Sequence, residues 1–181
     1  MNVIYTTIDN PITVTANVPA SDFECSINKN GIIEKGHFDN YSIRVIEEGD
    51  YQLKITQIST GASVSYSLRA KSLPTPFANL DNVFGDSISS QQLVSVKQLD
   101  LSYVPAFDVN ISAEVISFSL LRISNKNTRS ESDNLGPAFT NETKDIINAS
   151  SSGDILIFKD ILAKGVDPGT LKIPDMVLYV Q

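Results

Sequence analysis

From its first residues the chain alternates apolar and polar side chains with a period of two, and short turn signals interrupt the alternation at close intervals. Successive side chains of a strand point to opposite faces, so this period commits a segment to β-structure with one face buried. Val3, Tyr5 and Thr7 share one face. Ile12, Val14, Ala16 and Val18 repeat the pattern after Asp9-Asn10-Pro11, and Phe23, Cys25 and Ile27 repeat it after Pro19. Asn28-Lys29-Asn30-Gly31 reads as a turn, because Asn and Gly tolerate positive φ. Ile32-Ile33, Tyr41 to Val45 and Tyr51 to Ile55 follow. Ser59-Thr60-Gly61 turns the chain again, and Val64, Tyr66 and Leu68 close the set. About seven short strands with frequent turns predict an antiparallel sandwich of the immunoglobulin type.

Glu47-Glu48-Gly49-Asp50-Tyr51 sharpens this reading. An acidic residue, a Gly and then a Tyr at the start of a strand have the spacing of a tyrosine corner. In that corner the phenol hydroxyl ties the strand start back to upstream backbone.

The character of the chain changes at Leu73-Pro74-Thr75-Pro76. Two prolines in four residues remove two backbone donors and stiffen the connection. The boundaries read from this are residues 1–72 for an immunoglobulin-like domain and 77–181 for a second, β-rich domain. The residues before position 73 carry 6 basic and 8 acidic groups, net −2, and the rest carry 8 and 13, net −5. In the second part Phe77 to Leu80 is a short strand. Ser89-Ser90-Gln91-Gln92 fits a capping box and predicts a short helix to about Lys97. Glu114 to Ile123 is the longest strand. Thr140 caps a second short helix to about Asn148, with Ile146 and Ile147 inward. Asp154 to Leu162 is a strand, Asp167-Pro168-Gly169 a turn, and Leu171 to Val180 a last strand in which Pro174 marks an edge or a bulge. The fold class expected is mainly β, with two consecutive sandwich-like domains and one or two short helices in the second.

Composition narrows the function. Of 181 residues, 41% are apolar and 19% charged, enough to build a core. A formal charge of −7 opposes the phosphate backbone, which excludes general nucleic-acid binding. No apolar run reaches the roughly 20 residues of a spanning helix, so no membrane insertion is expected of this chain. The N-terminal residues do not read as a signal peptide, which leaves a cytoplasmic protein or one whose targeting segment is not in this sequence.

Chemistry is sparse. Cys25 is the one cysteine and its parity with Phe23 and Ile27 makes it a buried, inert thiol. His37 is the one histidine. One His and one Cys do not make an ordinary zinc site, and no phosphate-cradling loop, calcium loop or nucleophile elbow occurs. The carboxylates Asp9, Asp50, Asp86, Asp133 and Asp167 sit at turns, where solvation accounts for them. There is no Trp to stack a sugar. The expectation is a protein with no catalytic residues, no metal and no cofactor.

Several segments, in order along the chain, resemble the C-terminal periplasmic domains of the gliding-motility and type IX secretion family GldM, also called PorM. They are Val3-Ile4-Tyr5 with Asp9-Asn10-Pro11-Ile12, Leu73-Pro74-Thr75-Pro76-Phe77-Ala78, Gly85-Asp86-Ser87-Ile88-Ser89 and Val115-Ile116-Ser117-Phe118-Ser119. Ile157-Phe158-Lys159-Asp160-Ile161-Leu162-Ala163-Lys164-Gly165 and Leu171-Lys172-Ile173-Pro174 complete the set. The resemblance implies a periplasmic, homodimeric shaft of stacked β-domains that links an inner-membrane helix to outer-membrane-associated proteins. The family's membrane helix and the domains ahead of these two are not in this sequence, which is expected of a fragment or a shorter relative.

Two functions from different classes follow. One is a structural scaffold of a cell-envelope secretion or gliding assembly, with protein partners and a homodimeric state. The other is an extracytoplasmic surface module that binds glycans or proteins. Partner contacts are expected on the second domain. The tract Ser124 to Asn134 has no apolar residue and reads as a loop or hairpin tip. Lys126, Arg129, Glu131 and Asp133 are its candidate partner-binding residues, because binding residues concentrate on loops held by a rigid scaffold.

Overall fold

Seven strands form from the alternating segments of the first half. They are β1 (Asn2–Tyr5), β2 (Asn10–Thr13), β3 (Phe23–Ile27), β4 (Ile32–Lys35), β5 (Asn40–Arg44), β6 (Gly49–Gln57) and β7 (Ser63–Lys71). The computed structural model describes residues 2–15, 17–37, 40–83, 86–103, 111–166 and 169–181. The chain divides into two compact units, Met1–Leu73 and Pro74–Gln181. Ala16 and the Asp167-Pro168 part of the expected last turn lie outside the described residues.

The first unit is an immunoglobulin-like sandwich. One sheet has the order β1-β7-β6-β3, with β1 parallel to β7, and the other has the order β2-β5-β4. Their inner faces share one core that includes Ile4, Val14, Phe23, Cys25, Ile43, Tyr51, Leu53 and Leu68. The tyrosine corner is present: the Tyr51 hydroxyl donates to the Glu47 carbonyl at 3.0 Å. Lys29 holds its ammonium 4.7 Å from the centre of the Tyr51 ring, a cation–π contact.

Two expectations about this unit need correction. In β1 the core-facing residue is Ile4, and Val3 and Tyr5 are only half-buried. The parity is set by Asn10, which lies buried after the following turn. Its Oδ1 accepts the Tyr5 N–H at 2.7 Å, and its Nδ2 donates to the carbonyls of Tyr5, Ile8 and Ile43 at 2.8, 3.1 and 3.1 Å. A polar side chain thus closes backbone groups that the turn would leave unpaired. In β7 only Leu68 and Ala70 are buried, while Val64 and Tyr66 are exposed although they have the same parity. The facing sheet has strands of four and five residues, against nine in β6 and β7, so it cannot cover the far half of the hairpin.

The second unit is built on β11 (Glu114–Ile123) and β13 (Ile155–Lys164), the central pair of a six-stranded sheet. Its order is β12 (Arg129–Leu135), β11, β13, β15 (Met176–Val180), β9 (Ser87–Ile88), and β14 (Thr170–Lys172) also pairs with β13. Short strands β8 (Phe77–Asn79) and β10 (Asp100–Ser102) pair with each other. Both short helices cover one face of the large sheet. Helix α1 (Ser90–Ser95) starts at the Ser89–Gln92 capping box and ends two residues before Lys97. Helix α2 (Asn141–Asn148) starts at Thr140, whose side chain accepts from the Thr143 N–H. Leu93 of α1 and Ile147 of α2 join Phe118, Leu120, Leu156, Phe158 and Leu178 in the core. Neither helix is long and apolar enough to cross a membrane.

The polar tract after Ile123 is not a loop throughout. Only Asn125 to Asn127 turn, and Arg129–Leu135 is a strand paired with β11. Ser132 and Asn134 are buried. The Thr143 hydroxyl of α2 donates to Asn134 Oδ1 at 2.9 Å and meets the Ser132 hydroxyl at 2.8 Å. Asn134 Oδ1 also accepts the Thr140 N–H at 2.9 Å. Hydrogen bonds to the helix replace the apolar side chains that usually bring a strand into a core. The last strand is also divided. Pro174 stands between β14 and β15, opposite the stretch of β13 where Asp160 has φ 51°, so it marks a break in the ladder. β15 lies between β13 and β9 and is not the sheet edge.

Tyr51→Phe removes one hydroxyl and almost no volume. Leaving the Glu47 carbonyl without its donor should lower the stability of the first unit by about 0.5–1.5 kcal/mol. Faster amide exchange across β6 and β7, together with a lower urea midpoint, is the expected readout; unchanged exchange contradicts the role given to the corner.

Candidate functional site

β13 is apolar on both faces where it begins. Leu156 and Phe158 are fully buried, whereas Ile155 and Ile157 point to the opposite face and are half-buried. The ladder aligns them with their neighbours. Leu121, Ile157 and Val177 stand in one row across β11, β13 and β15, and Ile123, Ile155 and Tyr179 stand in the next. Val177 is 40% exposed and Tyr179 53%. Two rows of apolar side chains therefore cross three strands on the face away from α1 and α2.

Charged groups of both signs border the rows. On β12, Arg129 is opposite Ile123, Glu131 opposite Leu121, and Asp133 opposite Ser119. Glu131 binds Lys159 at 2.7 Å, and the Ser119 hydroxyl donates to Asp133 at 2.6 Å. The Glu131 carboxylate beside Lys159 holds that ammonium above its ordinary pKa, with Asp160 and Asp133 adding to the effect. Of the four residues singled out in the sequence, Arg129, Glu131 and Asp133 thus lie in one file along β12. Lys126 is exposed in the turn beyond them. The apolar rows were missed because a strand with Leu, Ile and Phe on both faces reads as one buried on both faces.

A partly buried ion pair ties the strands together at the end where the rows lie. Arg122 has the inward parity, and its Nε and Nη2 contact Asp154 Oδ2 at 2.8 and 2.7 Å. Asp154 is fully buried. It also accepts the N–H groups of Asn125 and Ser151, both at 2.9 Å. Burial alone pushes the Asp154 carboxyl up. The two backbone donors and Arg122 outweigh it and hold the carboxyl below the usual carboxylate value.

Elsewhere the groups with chemical potential stay apart. Cys25 is buried, and that burial pushes its thiol up, against a hydrogen bond from Tyr41 and the charge of Lys35. A thiol held neutral is a poor nucleophile. His37 is exposed. Among the described residues no group of three His, Cys, Asp or Glu is placed to hold a metal. Two shallow pockets measure about 240 and 260 Å³. The first lies beside Asp86, Asp175 and Met176, and the second beside Asp9, Glu34 and Arg44. Both are smaller than the roughly 300–1,000 Å³ of ordinary ligand sites.

No family model and no curated protein matches the chain. Among solved structures, a titin substructure aligns over 99% of this chain and 94% of its own length, at 9% identity and a TM-score of 0.29. A Dpr2 Ig1-Ig2 structure in complex with DIP-Theta aligns over 99% and 62%, at 11% identity and a TM-score of 0.27. InvD of Yersinia pseudotuberculosis aligns over 87% and 57%, at 12% identity and a TM-score of 0.24. At scores this low the assignment of the sandwich rests on its own strand order and corner.

Asp154→Ala leaves the Arg122 guanidinium, whose side chain is 15% exposed, without its partner and should cost about 3 kcal/mol at neutral pH, the low end for breaking a buried pair. The folded carboxyl titrates below its unfolded value of about 3.9. Its contribution is therefore complete above that pH and fades as the pH falls through the folded value. Amide exchange of β11 and β13 in wild type and variant should differ widely at neutral pH and converge in stronger acid. A gap that stays constant through that range contradicts the assignment.

Proposed function

We propose that this chain is a non-catalytic structural module of a cell-envelope secretion or gliding-motility assembly. It docks a protein partner on the outer face of the second unit's sheet. The supporting observation is the pair of apolar rows, Leu121-Ile157-Val177 and Ile123-Ile155-Tyr179, bordered by Arg129, Glu131, Asp133 and Lys159. An apolar patch with a polar border is the usual form of a protein interface. A flat sheet face suits a large partner better than a small ligand, which needs a concave site. The complementary partner carries an apolar strand or helix face with charges of both signs beside it.

The resemblance of this sequence to the GldM family supplies the class of assembly, its periplasmic place and its homodimeric form. In that setting the module transmits force or holds position, and rigidity matters more than a reactive group. The ion pair at Asp154 and the hydrogen bonds of Thr143 favour this reading, because each ties separate elements of the second unit together.

Val177→Glu and Tyr179→Glu together test it. Both side chains are exposed, so circular dichroism and thermal unfolding should stay close to wild type. Co-purification with envelope machine proteins from the producing cell should be lost. Unchanged co-purification overturns the docking face, and reproducible turnover of a substrate by the purified chain overturns the non-catalytic reading.

A further inference from the structure

Among the described residues, β1 flanks only part of the β7 edge. The described residues of β1 pair with Leu68–Lys71, while β6 pairs with β7 from Ser63 onward on the other side. The Lys71 carbonyl accepts from the Thr6 N–H, and the Ala62 carbonyl from the Gln57 N–H. Odd-numbered residues of β7 therefore turn their backbone groups to the β1 side and even-numbered ones to β6. Among the described residues nothing pairs with the outward N–H and C=O groups of Ser63 and Ser65 or with the Ser67 N–H, while the Ser67 carbonyl takes the Asn2 N–H where β1 begins. Val64 and Tyr66, between them, are 47% and 45% exposed.

Three features of this edge fit one occupant. It carries no protection, since no Lys, Arg, Asp, Glu or Pro occurs between Lys54 and Arg69. Exposed edges are normally guarded by such residues. It is also neutral in a chain of formal charge −7, so it is a place where two copies meet without repulsion. Finally, Ser63-Val64-Ser65-Tyr66-Ser67 reads small, apolar, small, apolar, small in both directions from Ser65. A two-fold interface requires a patch complementary to itself, and this strand has that symmetry.

We propose that β7 pairs antiparallel with β7 of a second copy about a two-fold axis at Ser65. The two Ser65 residues exchange backbone hydrogen bonds, and the Ser67 N–H of each copy donates to the Ser63 carbonyl of the other. Val64 then faces Tyr66 of the other copy in the closer, non-hydrogen-bonded positions, about 4.5 Å apart at Cα. An aromatic against a β-branched residue is a favourable cross-strand pair. The surface is smaller than the roughly 800 Å² per partner of a standard interface, so the association is weak and concentration-dependent. This inference rests on the homodimeric part of the proposed function and gives it a location.

Sedimentation equilibrium of the full chain up to high-micromolar concentration tests it, with the variants Ser65→Lys and Ser65→Glu. The Ser65 side chain is exposed, so both should fold as wild type does. Wild type should show a monomer–dimer equilibrium. Each variant alone places like charges face to face and should weaken association roughly tenfold or more, and an equal mixture of the two should restore it. A wild-type chain that stays monomeric overturns both the edge pairing and the homodimer, leaving the sheet-face docking of the second unit standing. A dimer unaffected by Ser65→Lys, or variants that do not recombine, overturns the edge pairing alone.

Discussion

One carboxylate sets the frame of the second unit. Asp154 receives Arg122 from β11, the N–H of Asn125 just beyond β11, and the N–H of Ser151 after α2. Its own carbonyl accepts the N–H of Val180 in β15. The residue therefore joins the three strands that carry the apolar rows, at the end where those rows lie. A strand that slips by one residue sends every side chain to the opposite face. Such a slip would bring Leu156 and Phe158 out to solvent and turn Ile155 and Ile157 into the core. A buried pair is not a large net source of stability. Its effect here is to make one register far better than its neighbours, and that choice decides which side chains the outer face presents.

The first unit solves the same problem with neutral groups. Asn10 binds the backbone of Tyr5, Ile8 and Ile43, and this ties the start of β2 to β1 and β5. Tyr51 ties the start of β6 to Glu47. At the other end, Asp22 accepts from the side chains of Gln57 and Ser59 and from the Ser59 N–H, which holds the end of β6 against the start of β3. The outer half of the β6–β7 hairpin is thus held on its β6 side, by β3 and Asp22, and lies beyond the cover of the shorter facing sheet. Val64 and Tyr66 are exposed because the facing strands are four and five residues long against nine in β6 and β7, and among the described residues β1 flanks β7 only from Leu68 on.

What could be read from the sequence was local. Both helix caps depend on residues three apart, so Ser89, Gln92 and Thr140 announced themselves, and the corner needs only the short path from Glu47 to Tyr51. β11 and β13 stood out by length and apolar content. The features that required tertiary partners could not be read. β12 reads as a loop or hairpin tip because Ser132 and Asn134 gain their place in the core from Thr143, a residue of another element. The parity of β1 was misjudged because Asn10 acts across the turn. At the candidate site the charged file Arg129, Glu131 and Asp133 was visible as a polar tract. The apolar rows beside it were not, since nothing in the run Ile155-Leu156-Ile157-Phe158 says which face stays open.

The outer face of the second unit either meets a partner in the cell or stays open to solvent. Photo-activated cross-linking addresses that directly, with the cross-linking side chain placed at Val177 or at Tyr179 and, as a control, at the exposed Lys144 of α2. The expected result is a discrete covalent adduct from both sheet positions and none from position 144, identified by mass spectrometry as a protein of an envelope secretion or gliding assembly. No adduct at Val177 and Tyr179, or the same adducts from position 144, contradicts a docking role for this face.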